Sequence, residues 1–294
     1  MAERGIRISP TLNLRETVRG AKNPVMVGPT EFWWSTRTPD GLGTLAMERV
    51  RADRIRAEAW GNGAGWLLDQ APRLLGAEDD LSGFEPAGRV AEQWRRAPFK
   101  LGRTDILWDA LVGAILGQKV QIANAVKARR KLARRHGDPA PGPRKGWILP
   151  APATVAAMGY YEFHPFGVER NRAEILIRTA REMPRLEAVS GRDPAVLGRR
   201  LQRIRGIGPW TAAMVTAVVL GDPDAVPVGD YHIPNTVAWW LADEPRATDE
   251  RLLELLEPYT GHRWRVIRLA KATGGAPKYG PKLSLTGDGL HLGR

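Results

Sequence analysis

The sequence predicts a mainly α-helical protein with a small α+β domain at its N-terminal end. Three observations carry that expectation. From about Pro86 to about Lys271 apolar residues recur at helical spacing, as in Ile106, Leu107, Ala110, Leu111, Ala114 and Ile115. Between Glu31 and Gly65 the texture is that of strands broken by turn residues. The run Leu201-Gln-Arg-Ile-Arg-Gly-Ile-Gly-Pro-Trp-Thr-Ala212 reads as a helix, a tight Gly-Ile-Gly turn and a second helix. The expected division is residues 1–85 for the α+β domain and 86–272 for a helical domain holding a helix-hairpin-helix at about 201–220. A basic, flexible tail over 273–294 completes it.

Residues 1–29 give little signal, with Pro10, Pro24 and Pro29 interrupting any long element. Phe32-Trp-Trp-Ser-Thr-Arg-Thr38 reads as a strand ending in the turn Pro39-Asp40-Gly41. Leu42–Val50 and Arg51–Trp60 read as the next two strands, the later part alternating charged and apolar side chains. Gly61-Asn-Gly-Ala-Gly65 closes the last of them, and Trp66–Leu75 reads as a helix packed on the sheet. Beyond the first core helix, Gly117-Gln118 predicts a break. A helix over Val120–Arg135 follows, carrying Lys127, Arg129, Arg130, Lys131, Arg134 and Arg135. Asp138–Gly146 is a loop on its prolines and glycines. Shorter helices are expected at Pro152–Met158, Glu169–Glu182, Asp193–Arg200, Tyr231–Leu241, Asp249–Leu256 and Gly261–Ala272.

Composition narrows the function classes. Of 294 residues, 43% are hydrophobic, enough for a real core. There is no Cys and there are only five His, so a disulfide framework, a Cys-ligated zinc site and a Cys-ligated iron–sulfur cluster are excluded. The first residues lack the apolar run of a signal peptide and no stretch has the length of a membrane span, which predicts a cytoplasmic, nucleoid-associated protein. Lys and Arg together number 44 against 32 Asp and Glu, a net charge of +12 that favours polyanions. Arg dominates that excess and suits bidentate phosphate contacts.

The hairpin gives the charge a target. Pro209 suits the first turn of a helix, where its missing N–H costs little. Gly206 and Gly208 permit a close backbone turn, so that amides around Gly206, Ile207, Gly208 and Thr211, with the positive helix end, can meet a phosphate. Such a turn grips a DNA backbone without reading its sequence. A lone acid, Asp230, follows 22 residues after Gly208. A carboxylate there can stabilise an oxocarbenium-like sugar and orient or deprotonate an attacking water. It can equally be the N-cap of the helix that follows.

The stretch from Leu201 to about Leu241 resembles the helix-hairpin-helix superfamily of base-excision DNA glycosylases. Gly206-Ile-Gly-Pro-Trp-Thr-Ala212 and Pro227-Val-Gly-Asp-Tyr231 look most like its 3-methyladenine DNA glycosylase II branch. Trp108-Asp-Ala-Leu-Val-Gly-Ala-Ile-Leu-Gly-Gln118 is similar to the apolar helix and Gln-containing turn of the same fold. The resemblance spans about Trp94 to Gly274. It implies a glycosylase fold, duplex DNA containing damaged bases as partner, a monomer, and Asp230 as the catalytic acid.

The same resemblance assigns further residues. Bifunctional relatives carry a Schiff-base Lys where this chain has Trp210, which implies a monofunctional enzyme using water. Trp210 would stack on a flipped base or else pack between hairpin and core. Met214 and Lys271 stand where the branch has further aromatic residues, so the base pocket would hold Trp210, Met214, Tyr231 and Lys271. Gln118, Lys119 and Val120 would share the task of filling the gap left by the flipped nucleotide, with a phosphate contact as the other role for Lys119. Backbone carbonyls of Gln202, Ile204 and Ile207 would hold a monovalent cation, Na or K. No other cofactor is expected. Some relatives carry an iron–sulfur cluster, which a chain without Cys cannot. The expected function is hydrolysis of the N-glycosidic bond of a damaged, alkylated base, with 3-methyladenine, 7-methylguanine and hypoxanthine all open. The alternative is a DNA-binding protein that kept the hairpin and lost catalysis.

Overall fold

The computed structural model describes residues 2–19, 25–27, 30–191 and 193–277. Pro24, Pro29 and most of the expected tail therefore lie outside the described residues. The first layer is a five-stranded antiparallel sheet in the order β1-β5-β4-β3-β2. Its strands are β1 (Ala2–Arg7), β2 (Val25–Val27), β3 (Glu31–Thr38), β4 (Gly41–Arg51) and β5 (Arg54–Trp60), with α1 (Leu14–Arg19) between β1 and β2. Strict alternation in β3 puts Phe32, Trp34, Thr36 and Thr38 inside. The Pro39-Asp40 turn sets Thr38 opposite Gly41. Helix α2 (Ala64–Leu74) covers the inner face and closes a core that includes Leu45, Met47, Ile55, Leu67 and Leu74.

Two expectations change here. The N-terminal stretch, weak in local signals, forms β1, paired along its length with β5. The expected strand Arg51–Trp60 begins only at Arg54, because Ala52 and Asp53 make the turn from β4.

The helical body comprises α3 (Gly88–Arg96), α4 (Leu107–Leu116), α5 (Ile122–His136), α6 (Pro152–Ala157), α7 (Arg170–Ser190), α8 (Pro194–Gln202), α9 (Pro209–Val219), α10 (Ile233–Ala242), α11 (Asp249–Leu256) and α12 (Arg263–Ala272). Helix α4 is buried on nearly every side, as its apolar run requires, and α9 packs along it. The expected loop Asp138–Gly146 is bounded by a short strand pair, Asp138–Pro139 with Trp147–Ile148. A 3₁₀ segment over Tyr160–Phe166 was not foreseen. Helix α7 runs through Pro184 instead of ending near Glu182, because Met183 and Leu186 on either side are buried. Helix α10 starts at Ile233, two residues later than its sequence suggested.

Buried polar contacts fasten sheet and helices together. The Thr36 hydroxyl donates to Asp109 of α4 at 3.0 Å, and Arg129 of α5 lies 3.5 Å from the same carboxylate. Burial pushes the Asp109 carboxyl up, against the pull of Arg129 and Thr36. Arg265 of α12, fully buried, donates twice to Asp79 at 2.7 and 3.0 Å. Arg268, one turn on, donates to the Glu16 carbonyl in α1. Losing one partner of a buried pair costs about 3–5 kcal/mol, so these contacts hold α12 firmly. Lys271 stands in the last turn of that helix, beside the site described next.

Candidate active site and DNA-facing hairpin

The hairpin is built by α8, the Gly206-Ile207-Gly208 turn and α9. Asp193 caps α8 by accepting the Ala195 amide at 2.7 Å and the Val196 amide at 3.3 Å. Gly206 has φ +98°, and a Cβ there would press into the buried side chain of Ile175. Gly208 is different. Its backbone is extended (φ −98°, ψ −176°), and a Cβ would meet nothing within 4 Å. Only Gly206 is a glycine by conformational need, whereas Gly208 leaves the surface bare.

The amides of Gly208, Trp210 and Thr211 come before the first intrahelical donor of α9, Ala212, which bonds the Gly208 carbonyl at 3.0 Å. These are the groups a phosphate would meet. Ile207, expected to help there, turns inward. Its side chain is buried and its amide donates to the Ile204 carbonyl at 2.9 Å.

Gln118 also departs from expectation. Its side-chain amide donates to the Gly206 carbonyl at 3.0 Å and to the Thr211 hydroxyl at 2.9 Å. It thus locks the α4–α5 turn to the hairpin and is spent as a protein–protein tie. Lys119, next in the chain, is exposed with φ +53°, as is Gln121 beyond the half-buried Val120 in the same turn.

Asp230 stands at the junction of these pieces. Its Oδ2 accepts the Trp210 indole N–H at 2.7 Å. Its Oδ1 accepts the backbone N–H of His232 at 2.8 Å and of Ile233 at 2.9 Å. Burial works to raise the pKa of this half-buried acid. The Trp210 bond, the two amides and the nearby Lys271 ammonium outweigh it and hold the carboxyl below its ordinary value. Asp230 is therefore ionised at neutral pH and caps α10 at the same time. Lys271 is exposed over much of its length, but desolvation near its ammonium lowers its pKa, Asp230 opposes that, and Arg268 and Arg19 add to it.

Trp210 is anchored at one edge by the bond to Asp230, and the far end of its indole points toward Gly117, whose lack of a side chain leaves it room. Met214, four residues on in α9, is buried in the helical core, so it can offer only a floor. Tyr231 is 84% exposed, its ring edge-on to His232 with centroids 4.9 Å apart. The structure thus brings Trp210 and Lys271 to Asp230 beside the hairpin and leaves the neighbouring Tyr231 ring exposed against His232. Nothing in the sequence links Gln118 to Thr211, or Trp210 to Asp230, because each contact joins residues far apart in the chain. Among the described residues no group of three or more His, Asp or Glu could hold a metal ion, and no helix is long and apolar enough to cross a membrane.

Residues 112–260, half of the chain, match the HhH-GPD superfamily of base excision DNA repair proteins. The chain belongs to that superfamily. This HhH-GPD protein is 26% identical over 176 residues to a DNA-3-methyladenine glycosylase of Bacillus subtilis (strain 168), a match covering 55% of this chain and 57% of the relative. The chain thus spans little more than half the length of that curated relative. In structure it is similar to a 3-methyladenine DNA-glycosylase from Archaeoglobus fulgidus, with TM-score 0.76 and 16% identity over 91% of this chain and 97% of the other. It is also similar to a Clostridium acetobutylicum 8-oxoguanine glycosylase/lyase solved with duplex DNA, with TM-score 0.70 and 11% identity over 93% and 98%. Both likenesses extend over the sheet as well as the helices and identify the fold of the HhH-GPD protein.

Replacing Trp210 separates its two roles. Trp210→Phe keeps most of the ring and removes the N–H, so any base-releasing activity built on Asp230 should fall by about tenfold or more, a hydrogen bond to a charged group being worth about 1.5–3 kcal/mol. The acid limb of the pH–rate profile should move upward, since one of the contacts depressing the Asp230 pKa is gone. Melting temperature should also fall by a few degrees, since the same bond is lost from the folded state. A Phe variant with wild-type rate and an unmoved acid limb would show that the indole only fills space.

Proposed function

We propose that this chain is a monofunctional DNA N-glycosylase that removes a damaged base, an alkylated purine first among them, from duplex DNA. The observation that carries this reading is Asp230, held ionised between the Trp210 indole and the α10 amides, directly beside a DNA-gripping hairpin. The Gly208, Trp210 and Thr211 amides would hold one strand by its phosphate. Lys119 would fill the gap left by the extruded nucleotide. The flipped base would lie against the Trp210 face over Met214, with Tyr231 and Lys271 at the rim.

In the reaction the C1′–N bond breaks with its electron pair leaving on the base. The developing oxocarbenium charge is balanced by the Asp230 carboxylate. Water, oriented by the same carboxylate, forms the new C1′–O bond and sheds its proton through Asp230 to solvent; a cationic alkylated purine has by then left as a neutral base, whereas hypoxanthine leaves as an anion and takes up a proton. A monovalent cation held by the Gln202, Ile204 and Ile207 carbonyls would add positive charge under the phosphate. Carbonyl oxygens suit such an ion. The neighbouring Arg205 and Gly206 carbonyls are taken by Arg178 and Gln118, whereas the Ile204 carbonyl accepts one amide and keeps a lone pair.

The test is single-turnover base release from duplexes carrying one 3-methyladenine, 7-methylguanine or hypoxanthine. At least one should be released, and the product should be an intact abasic strand that breaks only on added base. Borohydride should trap no enzyme–DNA adduct, because Trp210 supplies no amine. A trapped adduct would overturn the monofunctional assignment. Tight duplex binding with no release from any lesion would favour a protein that binds without catalysis.

A further inference from the structure

Helix α5 has two unlike faces. The inner one buries Ala128, Leu132 and Ala133 and sends Arg129 to Asp109. The outer one carries Lys127, Arg130, Lys131 and Arg134, spaced i, i+3, i+4 and i+7 and so aligned along one side. With Ala123 and Val126 they line a shallow groove of about 460 Å³. All four are exposed. Several other surface arginines are matched with acids, as in Arg89 with Asp243, Arg170 with Glu174 and Arg251 with Glu244. Among the described residues Lys127, Arg130 and Arg134 have no carboxylate partner, and Lys131 meets only the Pro165 carbonyl at 3.1 Å. A row of like charges left unmatched costs self-repulsion, which a polyanion would relieve.

The helix that carries the row begins close to the hairpin. Helix α5 starts four residues after Gln118, which is bonded to the hairpin turn. From Lys127 to Arg134 the axial rise is about 10 Å, comparable to three phosphate steps at about 3.4 Å per strand phosphate. We propose that the outer face of α5, through Lys127, Arg130, Lys131 and Arg134, is a second phosphate-binding surface that holds the lesion duplex beyond the hairpin. This rests on the reading of the chain as a duplex-binding enzyme. Grip on DNA then comes in two separable parts. The hairpin acts at the lesion, and α5 acts on flanking backbone without regard to sequence or damage.

The combined variant Lys127→Gln, Arg130→Gln, Arg134→Gln tests this, because Gln keeps helix propensity and the three side chains are exposed. Affinity is measured against salt on a short duplex confined to the lesion and on one extended by a helical turn on each side. On the long duplex the salt slope should fall by up to about 2.7, at about 0.9 per lost contact. On the short duplex the slope should hold, as should single-turnover base release at saturating DNA and the melting temperature. An unchanged slope on the long duplex would overturn the proposal, and so would equal losses on both, which would put α5 at the lesion itself. If the wild type released no base from any lesion, the enzymatic reading would fail while the slopes still decided the role of α5.

Discussion

Asp230→Asn should abolish base release, by at least about a hundredfold for loss of a positioned acid–base and electrostatic group, while duplex binding is retained or tightened. The structure makes the variant informative in a second way. Asp230 uses one oxygen for the α10 amides and the other for the Trp210 N–H. Asn has a single acceptor oxygen and must give up one of these, at about 1 kcal/mol. A small fall in melting temperature with complete loss of release is therefore expected. If Asp230 were only the cap, the same fall in stability would leave release near the wild-type rate. The pH dependence has a definite sign. The Asp230 pKa is depressed in the folded chain, so the stability that its ionised form contributes is fully present above the ordinary carboxylate range. It is lost only as pH falls through the lowered value. Wild-type base release should stay flat on descending from neutral pH to the ordinary range of Asp, then drop.

The hairpin glycines should behave oppositely. Gly206→Ala forces a side chain into a left-handed backbone and against Ile175. Backbone strain and overpacking each cost about 1–3 kcal/mol. That variant should melt several degrees lower and lose DNA binding with its hairpin. Gly208→Ala meets no atom within 4 Å and has an ordinary backbone, so its melting temperature should match wild type. Its affinity for damaged and undamaged duplex alike should drop about tenfold or more, the worth of a hydrogen bond to a charged group, because the methyl would stand where the Gly208 amide meets a phosphate. Thermal melting and undamaged-duplex titration of the two variants decide the matter. Unchanged affinity in Gly208→Ala would mean that no phosphate comes that close.

Local chemistry made much of this protein legible in advance. The Pro39-Asp40 turn, the alternation in β3, the break at Gly117 and the Pro209 helix start all depend on residues adjacent in the chain. So did the hairpin and the spacing to Asp230, which together pointed to DNA and to an acid near it. Boundaries slipped where neighbours outweighed local preference. Pro184 sits inside α7 because buried Met183 and Leu186 hold the helix around it. Strand β1 exists because the edge of β5 offers it a ladder, although only Ile6 among its residues is buried.

The sequence by itself determined that a hairpin, an acid and an excess of arginine occur in one helical chain. It could not say which atoms meet. Gly206 and Gly208 read alike until Ile175 was seen to lie under one and nothing under the other. Gln118 read as a DNA contact until its amide was found bonded to Thr211, 93 residues away. Trp210 and Asp230 read as separate pocket residues, and only the packing of α9 against the loop before α10 joins them at 2.7 Å. Hydrogen bonds and desolvation act over a few ångströms between groups that the chain separates by tens of residues. The Trp210 contact that helps to hold the Asp230 carboxyl below its ordinary pKa therefore comes from tertiary structure, whereas the His232 and Ile233 amides lie next to it in the chain.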